Sequence, residues 1–130
     1  MKNKKIVLRI TRHGVDAARL GSLKETFGDD VKIVEKDLEY GIDPVKTVAE
    51  CIASIEGRVI AVEAIAPFPV LTRLVDSGRT LGIKLIRAEL KRGEDGRALV
   101  LGQDENGRDL LAFDRYVELV RLTIETRELT

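Results

Sequence analysis

Apolar residues along the chain follow two patterns, short continuous runs and runs with helical spacing. The continuous runs are rich in β-branched residues and predict four strands, at 6–10, 31–37, 58–65 and 83–90. Apolar positions that recur every three or four residues predict three helices, at 16–27, 44–55 and 70–78. Strands that alternate with helices predict a Rossmann-like α/β fold, in which a mainly parallel sheet lies between two layers of helices.

Local signals support the ends of these helices. Asp43-Pro44 combines an N-cap acceptor with the residue best suited to the first helical position. Gly28 follows the first helix as a C-cap would, although Gly21 within that helix opposes helix formation by about 1 kcal/mol. The third helix is expected to start only after Pro67-Phe68-Pro69.

Residues 93–130 follow a different pattern and predict a β-rich C-terminal extension of a single domain that spans residues 1–130. The turn signals Gly93–Gly96 and Asp104–Gly107 separate short apolar runs, as in β-hairpins. The tail from Tyr116 fits a helix face or, through the alternation in Leu122–Arg127, a strand, and we expect the strand. An unpaired edge in this extension would favour contact with a second copy of the chain.

The charge and composition of the chain limit the classes of partner that it is expected to bind. Lys and Arg together number 22, as do Asp and Glu, so the net charge is zero and argues against a protein that coats duplex nucleic acid. No apolar run approaches the roughly 18 residues that a membrane helix needs, and the run at 6–10 is too short for a signal peptide. Cys51 is the single cysteine and is expected to be a small buried residue. We therefore expect a cytoplasmic protein without a membrane partner.

Candidate chemistry is sought at the carboxyl ends of the strands, where ligands bind in open parallel sheets. The four predicted ends carry Thr11-Arg12-His13-Gly14, Asp37 with Glu39 and Tyr40, Pro67-Phe68-Pro69, and Glu89 with Lys91 and Arg92. In the first, threonine offers a hydroxyl, arginine a fork suited to phosphate, histidine a proton carrier and glycine room for close backbone approach. The alternative is that Thr11 and His13 cap the turn and Arg12 is solvated.

Other positions are candidates for binding a ligand. Arg87, Lys91 or Arg92 could reach an anion beside Arg12, or could be solvated charges near a hairpin. Phe68 could stack on a base, or could cover the third helix. Glu63 interrupts an apolar strand, so it is expected either to pair with an arginine or to act as a general base.

Several function classes are disfavoured by the motifs that the chain lacks. It contains no Walker A loop, no G-x-G-x-x-G after a strand and no G-x-S-x-G elbow, so an ATPase, a dinucleotide-dependent oxidoreductase and an α/β-hydrolase are not expected. His13 is the single histidine, which argues against a histidine-rich metal site and against histidine phosphatases, which need two. We expect no metal and no cofactor.

The strand with its Thr11-Arg12-His13 turn and the compact Rossmann-like core resemble small CRISPR-associated Rossmann-fold (CARF-like) proteins, which include ring nucleases that bind or linearise cyclic oligoadenylate. The resemblance implies a homodimer that cradles such a ligand, the second messenger of CRISPR antiviral signalling, between two copies of the turn. It implies metal-independent phosphodiesterase chemistry at Thr11, Arg12 and His13, with a basic residue, Lys91 or Arg92, beyond strand four. Gly14 and Phe68 are expected near the ligand from their own chemistry and not from the resemblance. In the commoner pattern small residues follow the hydroxyl residue, whereas here Arg-His follows, which favours binding over cleavage. The competing hypothesis is a non-catalytic dimeric module that associates through its C-terminal β extension.

Overall fold

The computed structural model describes residues 4–12, 14–123 and 125–129. Its elements alternate as the sequence predicts, and then end in three short strands. In chain order they are β1 (Lys5–Ile10), α1 (Ala17–Phe27), β2 (Lys32–Lys36), α2 (Pro44–Ser54), β3 (Arg58–Ala64), α3 (Phe68–Leu81), β4 (Lys84–Leu90), β5 (Val100–Gln103), β6 (Asp109–Leu111) and β7 (Phe113–Glu118).

The main sheet has the strand order β2-β1-β3-β4-β7. Strands β1 to β4 are parallel, and β7 returns antiparallel to β4, so the predicted α/β fold with a mainly parallel sheet is confirmed. The chain moves from β1 to β2 on one side and then crosses to β3 on the other side of β1. The gap between the carboxyl ends of β1 and β3 is therefore the topological switch point, where open α/β sheets bind their ligands.

Both faces of the sheet are covered. Ile6, Leu8 and Ile10 of β1 pack beneath α2 and α3, whereas Val7 packs on the opposite face with Leu23 of α1. From Ile6 to Ile10 every residue is at most 3% exposed. A central strand buried on both sides explains why this segment is apolar at every position except Arg9 and does not alternate with polar residues.

The helix starts follow from their capping residues. Asp16 caps α1 by accepting from the amide of Arg19 at 2.8 Å, and Asp43 caps α2 by accepting from the amide of Lys46 at 3.2 Å. Helix α3 begins at Phe68, two residues earlier than predicted, because proline is tolerated in the first helical turn and Pro69 occupies that turn.

The end of α3 also corrects the prediction, since the helix continues through Gly78 to Leu81. Gly82 then adopts a left-handed conformation with φ of 72°. Its amide donates to the carbonyl of Arg79, and the amide of Ile83 donates to the carbonyl of Gly78 at 2.8 Å. These two bonds form a Schellman motif, which ends the helix after the glycine that the sequence suggests as its last residue.

The C-terminal extension is confirmed in part. Strands β5 and β6 form a hairpin closed by the predicted turn, in which the amide of Gly107 donates to the carbonyl of Asp104 at 3.1 Å. The strand expected for the tail from Tyr116 is confirmed as far as Glu118, where β7 ends, but it is wrong for 122–127, because among the described residues beyond Glu118 none lies in a strand. Leu119 and Leu122 instead both pack against the core beneath α2 and α3, a spacing of three that strand alternation does not provide.

The structure also bears on the expected burial of Cys51 and on the search for a membrane-spanning helix. Cys51 is only half-buried, which corrects its placement as a buried residue, and burial raises the pKa of its thiol despite the opposing charge of Lys36. In the part of the chain that the structure describes, no helix is long and apolar enough to cross a membrane.

Two glycines provide a matched test of this backbone. Gly82→Ala should lower the free energy of unfolding by about 1 kcal/mol, because alanine is strained in the left-handed conformation. Gly21→Ala should raise it by about 0.5–1 kcal/mol, because Gly21 lies inside α1 and a Cβ there would meet no atom within 4 Å. Urea unfolding of both variants measures the difference, and effects of the same sign would contradict this description of the two helices.

Candidate functional site

A cleft of about 290 Å³ lies at the carboxyl edge of the sheet. It is bounded by the residues that leave three neighbouring strands, and we call it the carboxyl-edge cleft. Its lining is Ile10, Thr11, Arg12, Asp37, Leu38, Tyr40 and Ile65. The cleft therefore opens where the order of the sheet places a ligand site, beside the β1/β3 switch point.

The polar side of the cleft is held by the backbone. The amide of Thr11 donates to the carbonyl of Lys36 at 3.0 Å, which continues the β1–β2 pairing one residue past the end of β1. This bond brings Arg12 next to Asp37, where the guanidinium Nε lies 3.4 Å from a carboxylate oxygen. The side chains are 77% and 62% exposed, so their ion pair contributes little to stability and can exchange partners with a ligand.

Tyr40 contributes a polar atom of a different kind. Its hydroxyl is buried and has no hydrogen-bond partner in the described parts of the chain. Burial raises the pKa of Tyr40, so the group is a protonated donor at neutral pH. A buried donor left unpaired costs about 1–3 kcal/mol of stability.

The remaining wall of the cleft is apolar. Ile10 is buried, Leu38 is half-buried, and Ile65 is 67% exposed at the end of β3. An apolar wall facing a charged pair suits a ligand with a flat or apolar ring and an attached ionic group.

Beneath the same edge, on the α1 face, a row of charges crosses three strands, and we call it the charged row. Arg9 of β1 is the register partner of Glu35 on β2 and of Glu63 on β3. Its Nε donates to Glu63 at 2.8 Å, and a terminal nitrogen donates to Glu35 at 3.4 Å. Tyr116 of β7 donates its hydroxyl to the same oxygen of Glu63 at 2.7 Å. The row joins the last strand of the sheet to its centre.

The centre of the charged row is buried and its charges are compensated, whereas the Glu35 side chain at its end is 33% exposed. Arg9 and Glu63 are each 3% exposed. Desolvation alone would lower the pKa of Arg9, but the hydrogen bond and the charge of Glu63 outweigh it and raise the pKa. For Tyr116, burial first and the bond to Glu63 second raise the pKa of the phenol, so it stays a donor.

The charged row also positions the segment after the first strand. Glu35 accepts from Arg9 through one oxygen and from the amide of Val15 at 3.3 Å through the other. The chain is thus held on both sides of the turn, at Arg9 before it and at Val15 after it. Together with the bond from Thr11 to Lys36, these contacts hold the backbone segments that carry Arg12 and Asp37.

Of the residues predicted at the first turn, the structure places Thr11 and Arg12 in the carboxyl-edge cleft. Gly14 is exposed and does not line the cleft, and there is open space at the position of a Cβ. His13 lies outside the described residues. Thr11 is half-buried, and its backbone bond to Lys36 gives it a structural role as well.

The other predicted binding residues lie away from the cleft. Arg87 is exposed in the middle of β4, opposite Val117. Lys91 and Arg92 follow β4, which is two strands from β1 and hence about 10 Å away. Arg92 donates to the carbonyl of Gly96 at 2.8 Å within its own turn. Phe68 is 42% exposed at the start of α3 and does not line the cleft.

Sequence reasoning missed the role of Arg9. It counted Arg9 within the apolar run at 6–10 and gave it no role, while it expected Glu63 to pair with an arginine or to act as a base. The structure shows the pair, and the available signal was that two strands each carry one charge of opposite sign near their carboxyl ends. Asp37 and Tyr40 were noted at a strand end but were given no role.

Two further features of the described ranges bear on the choice of site. No group of three or more metal-ligating side chains occurs there. A smaller cavity of about 30 Å³ between α2 and α3 is lined mainly by aliphatic side chains such as Val48, Leu74 and Leu85. Such a lining offers no means of recognising a polar ligand, so the carboxyl-edge cleft is the better candidate.

Glu63→Gln tests the charged row. The substitution leaves Arg9 buried without its principal counter-charge and should lower the free energy of unfolding by about 3 kcal/mol, near the low end for a broken buried pair because Glu35 remains. Arg115→Gln is the matched control, since it breaks an exposed pair with Glu89 and should cost less than about 1 kcal/mol. Urea unfolding compares them, and equal small losses would show that the row does not stabilise the sheet.

What the site can do chemically follows from these contacts. It can hold an anionic group at Arg12, accept hydrogen bonds at Asp37 and cover an apolar ring with Ile10, Leu38 and Ile65. Comparison of the chain with protein-family models, with curated proteins and with solved structures finds no match.

Proposed function

We propose that the carboxyl-edge cleft binds a phosphate-bearing nucleotide, with a cyclic oligoadenylate as the first candidate. The observation that carries the proposal is the convergence of Arg12, Asp37 and an apolar wall at the carboxyl edge of a parallel sheet, beside its switch point. The guanidinium of Arg12 supplies a planar fork for a phosphate. The wall formed by Leu38 and Ile65 offers apolar contact for a base.

The size of the cleft limits what one chain can hold. Ligand pockets usually enclose about 300 to 1,000 Å³, so a cleft of about 290 Å³ suits one nucleotide unit and not a whole ring of them. A cyclic oligoadenylate would therefore need clefts from two copies of the chain. We propose a homodimer for this reason.

The β5–β6 hairpin supplies a surface for such a dimer. A two-stranded sheet is marginally stable by itself. This one leaves large apolar side chains exposed on solvent, and Leu101 is 71% exposed. The exposed set is Leu99, Val100, Leu101, Leu110 and Leu111. Covering them with a second copy would stabilise the hairpin, and the same surface would serve a non-catalytic interaction module, the competing function.

A ribonucleotide ring also offers a reaction that needs no metal. The 2′-hydroxyl attacks the adjacent phosphorus, the 2′-oxygen–phosphorus bond forms and the bond to the 5′-oxygen breaks, which leaves a 2′,3′-cyclic phosphate and a 5′-hydroxyl. We assign the stabilisation of the developing charge to Arg12 with Thr11, and the transfer of the proton from the 2′-oxygen to the 5′-oxygen to His13. This makes the protein a metal-independent phosphodiesterase of the ring nuclease type.

Incubation with labelled cyclic oligoadenylates of several ring sizes, in the presence of a chelator, tests the proposal. We expect saturable binding and conversion to linear products. Arg12→Ala should weaken binding by about tenfold or more, because a hydrogen bond between charged groups is lost. His13→Ala should remove most of the turnover and change affinity less. Arg73→Ala, which removes an exposed cation from α3 outside the cleft, is the control and should behave as the unaltered protein.

The outcomes separate the two functions. Absence of both binding and turnover across ring sizes would overturn the nucleotide proposal. A dimer that forms without any response to ligand would favour the interaction module. Turnover unchanged by His13→Ala would reject His13 as the proton carrier while leaving binding intact.

A further inference from the structure

The carboxylate of Asp37 is unexpected in a cleft that holds phosphate. It lies 3.4 Å from the guanidinium of Arg12, so the pair is electrically neutral as a unit. A phosphate bound at Arg12 would lie close to a like charge, and like charges at that range repel each other. The pair therefore disfavours a ligand that offers phosphate oxygens alone.

We propose that the Asp37–Arg12 pair recognises the 2′-hydroxyl and the adjacent 3′-phosphate of a ribonucleotide linkage. The inference rests on the proposed function and adds Asp37 as the residue that distinguishes ribose from deoxyribose in its ligand. In such a linkage a hydroxyl donor and a phosphate acceptor sit on neighbouring carbons of the sugar. Asp37 offers an acceptor and Arg12 a donor at a matching separation, so the carboxylate accepts from the hydroxyl while the guanidinium donates to the phosphate.

Both side chains retain the capacity to make these bonds. An ionised carboxylate can accept about four hydrogen bonds and a guanidinium can donate five, whereas their mutual contact joins one nitrogen to one oxygen. Both are largely exposed at the cleft that they line. The ligand therefore adds to the pair and does not have to break it.

The placement of Asp37 is built into the backbone. The residue before it, Lys36, is fixed to Thr11 by a backbone hydrogen bond at 3.0 Å. After it, Leu38 and Tyr40 pack against the core beneath α2. The backbone on both sides of Asp37 is therefore held in place, unlike the backbone around a carboxylate on a loop without packing contacts.

Calorimetric titration with cyclic tetra-adenylate and with its all-2′-deoxy counterpart tests the inference. We expect the ribose form to bind about tenfold more tightly or better, since a hydrogen bond to a charged group is lost in the deoxy form. Asp37→Ala should abolish this preference by weakening the ribose form, while the deoxy form binds as well as before or more tightly. Glu39→Ala is the matched control, because Glu39 is an exposed carboxylate of the same loop that does not line the cleft.

Failure of the inference and failure of the proposed function give different results. Equal affinity for the two rings, or a preference that survives Asp37→Ala, would overturn the ribose inference and leave nucleotide binding standing. Binding of neither ring would overturn both. Thermal unfolding of Asp37→Ala checks that the variant is folded, and little change is expected because its ion pair is exposed.

Discussion

The pairing of Arg9 with Glu35 and Glu63 is the interaction on which the rest of the structure depends. It crosses three strands one residue before they end, and Arg9 and Glu63 are buried, so the loss of either leaves the other as a buried charge without its main partner. Glu35 extends the constraint to the backbone of Val15 beyond the first turn. The hydroxyl of Tyr116 extends it to the last strand. Because Thr11 and Arg12 follow β1 and line the cleft, the geometry of the cleft depends on these contacts.

The fold could be predicted largely from local signals. Asp43-Pro44 determines where α2 starts because a cap acts within one turn, and the apolar run of β1 reports burial on both faces. The tail from Leu119 was mispredicted because its partners are distant. Leu122 packs against a core assembled from other elements, and no local pattern distinguishes that contact from a strand.

The sequence predicted only the part of the candidate site that follows from where each strand ends in the sheet. Thr11 and Arg12 line the cleft because the carboxyl end of β1 is central in this strand order. Lys91 and Arg92 share that edge but follow β4, two strands away, a separation that depends on the order of the strands and not on their chemistry. The partnership of Arg12 with Asp37 requires the β1–β2 register, which the sequence does not display.

The central claim is that the carboxyl-edge cleft is the ligand site. Mapping of backbone amide chemical shifts during titration with cyclic tetra-adenylate tests it most directly. The account predicts that the largest changes fall on Thr11, Arg12, residues 37–40 and Ile65. Changes confined to the β5–β6 hairpin, or to the cavity between α2 and α3, would contradict it.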